Sequence, residues 1–303
     1  MVFLNLLVLF FYGFYNSFYT IVIIQLVQAA ILHFKNLKMT ETDGAIGIAI
    51  GCGLTVIITI LGATKVGQRI ASLFFHGRNA VSREFRQIDP LINEVIESIN
   101  KKHGTRYERK NIKLIMVDDK TLQASAFGHS TLIVFTGILQ TLSDEEIKGV
   151  LAHEFGHLFY RDSVFLTVLA FSSIFTGIFF LPWNTFIKSV RDAKAKGEDP
   201  GFMRKVLIAL LFCFYLVPLI IDFIIQNLVR TYLLLTSRFV ETRSDIFSAE
   251  LGYGEGLIGY LEKIQMMTSG NPNFFERFFT THPEPMKRID RLEKAMAANL
   301  DQP

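Results

Sequence analysis

Two histidines stand four residues apart in the segment from Leu151 to Tyr160, and a glutamate directly follows the first of them. Residues four apart are neighbours on one face of a helix, so His153 and His157 can direct ring nitrogens to the same point. Imidazole nitrogens bind Zn²⁺ at about 2.0–2.1 Å. Glu154 lies at another angle, from which it can reach a water on the metal and act as a general base. The H-E-x-x-H pattern therefore indicates a zinc-binding helix, although an ordinary amphipathic helix can carry it by chance.

A catalytic zinc usually has a third protein ligand, and the best candidate lies far downstream. Glu241 and Asp245 are again four residues apart, within a segment that we predict to be helical. We expect Glu241 to be the third ligand and Asp245 to accept a hydrogen bond from the far nitrogen of a ligating histidine. The alternative is a solvated charged face, because Arg238 and Arg243 lie beside them. Arg238 itself could contact a substrate or pair with an acid such as Asp245.

Local signals indicate the elements that would position these residues. Ser143 and Glu146 have the spacing of a capping box, which predicts that the helix carrying the two histidines begins there. Asp89 and Pro90 predict the N-cap and first residue of an earlier helix. Its apolar face would comprise Leu91, Ile92, Val95, Ile96 and Ile99, and it would close at Lys101, Lys102 and Gly104. Two strands are predicted, at 112–118 and 131–137.

The composition indicates a membrane protein. Half of the 303 residues are hydrophobic, only 19% are charged, and the mean hydropathy is +0.34. The apolar residues fall into four blocks of a length that suits a bilayer, which needs roughly 20 residues per spanning helix. These blocks are 2–32, 44–61, 164–183 and 206–228. The first is longer than a secretory signal and has no basic residue ahead of it, so we expect a retained helix. In the second, the spacing of Gly47 and Gly51 would let another helix approach closely.

Charge and cysteine content bear on the partners, the role of the cysteines and the orientation in the membrane. The net charge of +3 requires no nucleic-acid partner, and Cys52 and Cys213 lie inside apolar blocks, where we interpret them as small hydrophobic residues. Basic residues after the second block favour a cytoplasmic location for the segment that follows. They are Lys65, Arg69, Arg78, Arg83 and Arg86. The loop 184–205 would then lie on the opposite side although it carries six basic residues, so the third and fourth blocks could form a hairpin that is only partly inserted.

The chain resembles the HtpX-like membrane zinc metallopeptidases, which share a superfamily with the CAAX prenyl endopeptidases. Three motifs carry the resemblance: His153-Glu154-Phe155-Gly156-His157, Glu241-x-x-x-Asp245, and Thr281-His282-Pro283. The segment Ser125-Ala126-Phe127-Gly128 is similar to the family's substrate-binding segment ahead of the zinc helix, but has Ser125 where the family usually has asparagine.

The resemblance implies a mainly α membrane protein with about four transmembrane helices and a zincin-like α+β catalytic domain built from two chain segments. The expected divisions are an N-terminal transmembrane hairpin (1–64), the first catalytic part (65–162), a second transmembrane hairpin (163–235) and the second catalytic part (236–303). One Zn²⁺ per chain is expected. The resemblance also implies that the protein resides in the cell inner membrane with its catalytic domain facing the cytoplasm. It further implies cleavage of membrane proteins, especially damaged ones.

The expected mechanism is peptide hydrolysis with Glu154 as general base and His282 as donor to the oxyanion. A substrate strand would add beside residues 125–128, with Arg238 as a further contact. His282 could instead be an ordinary loop histidine. Partners would be membrane proteins or peptides and the lipid bilayer, with self-association possible. Two other functions stay open: a catalytically silent membrane scaffold or chaperone, and a protease dedicated to one lipid-anchored substrate.

Overall fold

The computed structural model describes residues 2–72, 77–195, 201–268 and 285–300. Two compact units are built from alternating chain segments. The first comprises residues 1–64 and 165–232, and the second comprises 65–164 and 233–303. Because the segments alternate, each unit depends on residues far apart in sequence. The assignment of these segments to membrane and catalytic roles stays a prediction.

The first unit consists of long apolar helices. They are α1 (Val2–Phe34), α2 (Glu41–Ala63), most of α7 (Asp162–Ser172), α8 (Ile174–Ala195) and the first part of α9 (Phe202–Glu250). Among the described residues, three helices are long and apolar enough to cross a membrane, and a fourth span is possible if α7 and α8 form one span bent by 52°. The predicted fold class is confirmed, and the chain is an integral membrane protein. The third apolar block is not one straight helix, because α7 ends at Ser172 and α8 begins at Ile174.

Small and polar residues hold the helices of this unit together. A Cβ atom added at Gly51 would lie 2.8 Å from the Cα of Ile21, so the glycine allows α1 and α2 to approach closely, as predicted. Thr55 donates a hydrogen bond to Thr20 across the same contact. Tyr15 on α1 donates to Asp222 on α9 at 2.6 Å. In an apolar surrounding such side-chain hydrogen bonds satisfy polar groups that would otherwise lack partners.

The second unit combines helices with one small sheet. Its helices are α3 (Lys65–Ser72), α4 (Ser82–His103), α5 (Thr136–Thr141), α6 (Asp144–Tyr160), the end of α9, α10 (Gly254–Thr268) and α11 (Pro285–Leu300), with a 3₁₀ turn at Arg109–Asn111. The strands β1 (Lys113–Val117), β2 (Ala124–Phe127) and β3 (Thr131–Phe135) lie in the order β1-β3-β2. β3 is parallel to β1 and antiparallel to β2. The outer edge of β1 is bridged by Arg78, and no described strand pairs with the outer edge of β2.

Helix α4 begins earlier than the sequence predicts. Its first residue is Ser82, and Glu84 accepts a hydrogen bond from the backbone N–H of Val81, so Pro90 lies inside the helix rather than at its start. The prediction of Asp89 as the N-cap was therefore wrong, because a glutamate cap upstream outweighed the proline signal. The predicted apolar face is buried, and Gly104 ends the helix with a positive φ of 63°. Both strands occur as predicted, shorter by one or two residues at their ends.

Candidate metal centre

Helix α6 presents the two histidines from the core of the second unit. Ser143 caps it, accepting from the N–H of Glu146 while the Glu146 carboxylate accepts from the N–H of Ser143, so the predicted capping box is present. Every residue from Ile147 to Leu158 is buried. Two glycines allow neighbours to approach: a Cβ at Gly149 would lie 2.3 Å from the backbone nitrogen of Leu257 on α10, and one at Gly156 would lie 3.1 Å from the Cα of Ser244 on α9. Close packing on both sides leaves α6 little freedom to move.

Three ligand atoms converge on one point. The Nε2 atoms of His153 and His157 lie 3.2 Å apart. The carboxylate oxygens of Glu241 on α9 lie 3.5 Å and 3.6 Å from them. Zinc–ligand bonds of about 2.0–2.2 Å at tetrahedral angles place neighbouring ligand atoms about 3.3–3.5 Å apart. The donor set and its spacing therefore fit one Zn²⁺ ion, and all three ligand atoms lie within 4.8 Å of one another.

The far nitrogen of each histidine faces a carboxylate. Nδ1 of His153 lies 2.9 Å from Oδ1 of Asp245, and Nδ1 of His157 lies 3.2 Å from Oδ2 of Asp162. An ionised carboxylate only accepts hydrogen bonds, so in each ring Nδ1 is the donor and Nε2 keeps its lone pair for a metal. The contact of Asp245 is the one expected from its spacing. The contact of Asp162 was not foreseen.

A buried arginine completes the surroundings of His153. Arg288 on α11 is only 2% exposed and donates to both carboxylate oxygens of Asp245, at 3.0 Å and 2.7 Å. Its third nitrogen lies 3.4 Å from the Glu241 carboxylate. A cation buried to this degree needs charged partners, and the two acids supply them. Sequence reasoning missed Arg288 and gave Arg238 as one possible partner of Asp245, but Arg238 is exposed in the structure.

These charges set the protonation of the metal-free site. Burial and the Arg288 guanidinium both disfavour the imidazolium form of His153, but the carboxylates of Asp245 and Glu241 favour it more strongly, and the pKa of His153 is raised to about 9. Histidine binds a metal as the neutral imidazole, so binding of an ion displaces this proton. Burial also raises the pKa of Tyr260, whose phenol lies near Glu154 and Glu241.

The structure places some, but not all, of the other predicted site residues on elements that contact the metal-binding helix. Glu154 is 4% exposed on α6, one residue from His153. Ser125, Ala126 and Phe127 belong to the edge strand β2, and Gly128 follows it with a φ of 63°. Helix α6 packs against β2. His282 lies outside the described residues.

The comparisons with known proteins decide the family. The model of Peptidase family M48 matches residues 82–296, which is more than half of the chain. The chain belongs to Peptidase family M48. The resemblance drawn from the three motifs is thereby confirmed, and so is the predicted metalloprotease class at the level of the family.

The individual relatives that match this chain are distant in sequence. It is 25% identical over 183 residues to a "Protease HtpX homolog" of Thermoanaerobacter pseudethanolicus, an alignment that covers 54% of this chain and 58% of the relative. It is 25% identical over 313 residues to the homolog of Thermoplasma acidophilum, covering 88% of this chain and 90% of that one. The crystal structure of S. mikatae Ste24p matches with a TM-score of 0.44 and 19% identity, over 89% of this chain and 61% of the other.

Family membership implies a metal, typically zinc, and the convergence of His153, His157 and Glu241 agrees with it. The structure also places Asp162, Arg243 and Arg288 around the two histidines, and sequence reasoning gave none of them a role at the site. For Asp162 and Arg243 the signal in the sequence was proximity to the motifs, since Asp162 lies five residues after His157 and Arg243 lies between Glu241 and Asp245.

Proposed function

We propose that this M48 peptidase is a zinc-dependent endopeptidase that cleaves membrane proteins. The observation that carries the proposal is the buried convergence of His153, His157 and Glu241, together with the buried Glu154 on the helix of the two histidines. A Zn²⁺ ion held by these three side chains would supply Lewis acidity, which at catalytic zinc sites lowers the pKa of water to about 7. Asp245 would fix the ring of His153, as its contact with Nδ1 suggests.

Glu154 is the general base in this proposal. Its carboxylate would take a proton from the water that attacks the peptide carbonyl carbon, and would then deliver that proton to the nitrogen of the leaving amine. The C–N bond breaks as the amine leaves, so no further co-reactant is needed. His282 is proposed as the donor to the oxyanion, on the basis of its sequence motif.

The place of β2 at the end of the described sheet supports the way in which a substrate would bind. No described strand pairs with its outer edge, and α6 packs against the same strand. In our proposal an extended substrate segment adds its backbone hydrogen bonds alongside residues 125–128, the segment that resembles the family's substrate-binding segment. Arg238 is a further candidate contact. This mode favours substrates that are locally unfolded, because a folded segment has already used its backbone hydrogen bonds.

The membrane helices support membrane proteins as the substrate class. An enzyme anchored by apolar helices meets bilayer proteins at high effective concentration. We further propose that the substrates are damaged or misfolded proteins, that the protein resides in a cell inner membrane, and that its catalytic segments face the cytoplasm. Basic residues after α2, such as Lys65 and Arg69, support this orientation.

The deciding experiment compares Glu154→Gln with Glu145→Gln, an exposed residue of the same helix, in the full chain purified in detergent. Each protein is stripped with a chelator, reloaded with zinc, and assayed for cleavage of an unfolded polypeptide and for zinc content. We expect Glu154→Gln to bind one zinc per chain and to lose at least about 100-fold in kcat. Glu145→Gln should behave as the wild type.

Two results would contradict the proposal in different ways. Full cleavage by zinc-loaded Glu154→Gln would remove Glu154 from the role of base. A wild type that binds no zinc and cleaves nothing would favour a silent scaffold.

If the enzyme is active, comparing the membrane proteomes of cells with wild type and Glu154→Gln would separate the substrate proposals. Many accumulating proteins would support quality control, and a single lipid-anchored one would support a dedicated protease.

A further inference from the structure

The ring of His157 is oriented by a residue from the next helix. Asp162 is the first residue of α7, and its Oδ2 lies 3.2 Å from Nδ1 of His157. Helix α6 ends at Tyr160, and the next residue, Arg161, has a φ of 60° in the left-handed region, which turns the chain sharply. This turn brings Asp162 back beside a histidine five residues earlier. A straight continuation of α6 would place the two side chains on different faces.

The carboxylate of Asp162 is itself held from the other side. Arg243 on α9 forms an ion pair with Oδ1, while Oδ2 faces His157. The guanidinium carbon of Arg243 lies 3.8 Å from the centre of the Tyr160 ring, within the range of a cation–π contact. With one oxygen used by the arginine and the other by the histidine, the carboxylate has a single orientation.

We propose that Asp162 is the positioning residue for His157, and that Arg243 holds Asp162 in place. This inference rests on the proposed metal site. Asp162 accepts the hydrogen of Nδ1, so that Nε2 carries the lone pair, and its negative charge strengthens that lone pair as a ligand. Asp162 touches neither the metal nor the substrate, and it acts only through His157.

Ser244 is the competing partner for the same nitrogen. Its hydroxyl also lies 3.2 Å from Nδ1 of His157. A carboxylate is a stronger acceptor than a hydroxyl, because hydrogen bonds to an ionised group are roughly twice as strong as neutral ones. The hydroxyl can also rotate to donate elsewhere, whereas the Asp162 carboxylate is held by Arg243. We therefore assign the hydrogen bond of Nδ1 to Asp162.

The test measures zinc affinity rather than turnover. The full chain in detergent is titrated with Zn²⁺ against a chromophoric chelator as wild type, Asp162→Ala, Asp162→Asn, Arg243→Lys and Ser244→Ala. The exposed acid Asp290 on α11, changed to asparagine, is the control. Loss of such a partner typically weakens metal affinity 10–100-fold, and we expect this loss for Asp162→Ala. Asp162→Asn should lose less, because the amide oxygen still accepts the hydrogen bond, and Arg243→Lys should lose least.

The outcomes separate this inference from the proposed function. If the wild type binds zinc and both Asp162 variants bind it equally well, the positioning role is wrong and the metal site stands. A loss in Ser244→Ala as large as in Asp162→Ala would assign the hydrogen bond to the serine and overturn the inference. A wild type without zinc would overturn the proposed function itself. Thermal unfolding of the metal-free variants shows whether each is folded. If Asp162→Ala is unfolded, the zinc affinity of Asp162→Asn is the measurement that decides.

Discussion

The two histidines of α6 are supported in the same way but from different parts of the chain. Each Nδ1 faces a carboxylate, and each carboxylate is held by an arginine. We call each carboxylate–arginine pair the arm of its histidine. The arm of His153 consists of Asp245 and Arg288, whose side chains are 3% and 2% exposed. The arm of His157 uses Asp162 and Arg243, whose side chains are 15% and 25% exposed. The same chemistry is therefore present once in a dry environment and once near the solvent.

The difference in exposure predicts which of the two ion pairs contributes more to the stability of the fold. Charges in a low-dielectric interior interact strongly, and removing one of them leaves its partner uncompensated. Near the surface, water replaces part of a lost interaction. The buried arm should thus be rigid and intolerant of change, and the half-buried arm should be adjustable at small cost to the fold.

The largest expected effect is that of Arg288→Leu. Breaking a buried ion pair by removing one partner costs about 3–5 kcal/mol, because Asp245 and Glu241 would then be left as buried charges. Without metal, the Arg288→Leu variant should unfold at a markedly lower temperature than the Arg243→Leu variant. The measurement is thermal unfolding followed by circular dichroism.

A double variant sharpens this test. Arg288→Leu combined with Asp245→Leu replaces the pair by apolar residues, which often restores stability. We expect the double variant to recover much of the lost stability but to bind zinc more weakly than the wild type, because His153 has lost its acceptor. Equal destabilisation by Arg288→Leu and Arg243→Leu would contradict the distinction between the two arms.

A smaller effect is expected at the other end of α6, away from both arms. Ser143→Ala removes the side-chain cap and should lower the free energy of unfolding by about 1 kcal/mol. Zinc affinity should not change, because the cap lies more than two turns from His153. Thr141→Ala, which removes an exposed hydroxyl two residues earlier, is the control. A change in zinc affinity in Ser143→Ala would mean that the cap also positions the histidines.

The smallest effect is a pH dependence at the same cap. Burial favours the neutral form of Glu146, but the Lys263 ammonium at 2.7 Å and the N–H of Ser143 outweigh it and lower the pKa of Glu146. A lowered pKa stabilises the fold fully above the unfolded value of about 4.3, and this contribution is lost as the pH falls through the folded value. The free energies of unfolding of the wild type and Glu146→Gln should therefore differ by about 0.2–1 kcal/mol at pH 6. This difference should shrink as the pH falls below about 4.3, as measured by denaturant unfolding. A constant difference over that range would exclude the ionised carboxylate as the cause.

Periodicity alone predicted the parts of this molecule that depend on local spacing. The four-residue intervals of His153–His157 and Glu241–Asp245 place each pair on one helical face, and the capping box at Ser143 marks the start of α6. The apolar blocks likewise predicted helices of membrane length. Pro90 misled the prediction for α4, because a proline signal is weaker than the glutamate cap that lies upstream of it.

The sequence by itself determined which residues could bind a metal, since ligand chemistry and helical spacing are local properties. Only the tertiary structure decided which charges surround them. Arg288 reaches Asp245 from another helix, and Asp162 meets His157 because one residue in the left-handed region turns the chain. Ion pairs of this kind depend on distances between segments that are separated along the chain, and no local pattern encodes such distances.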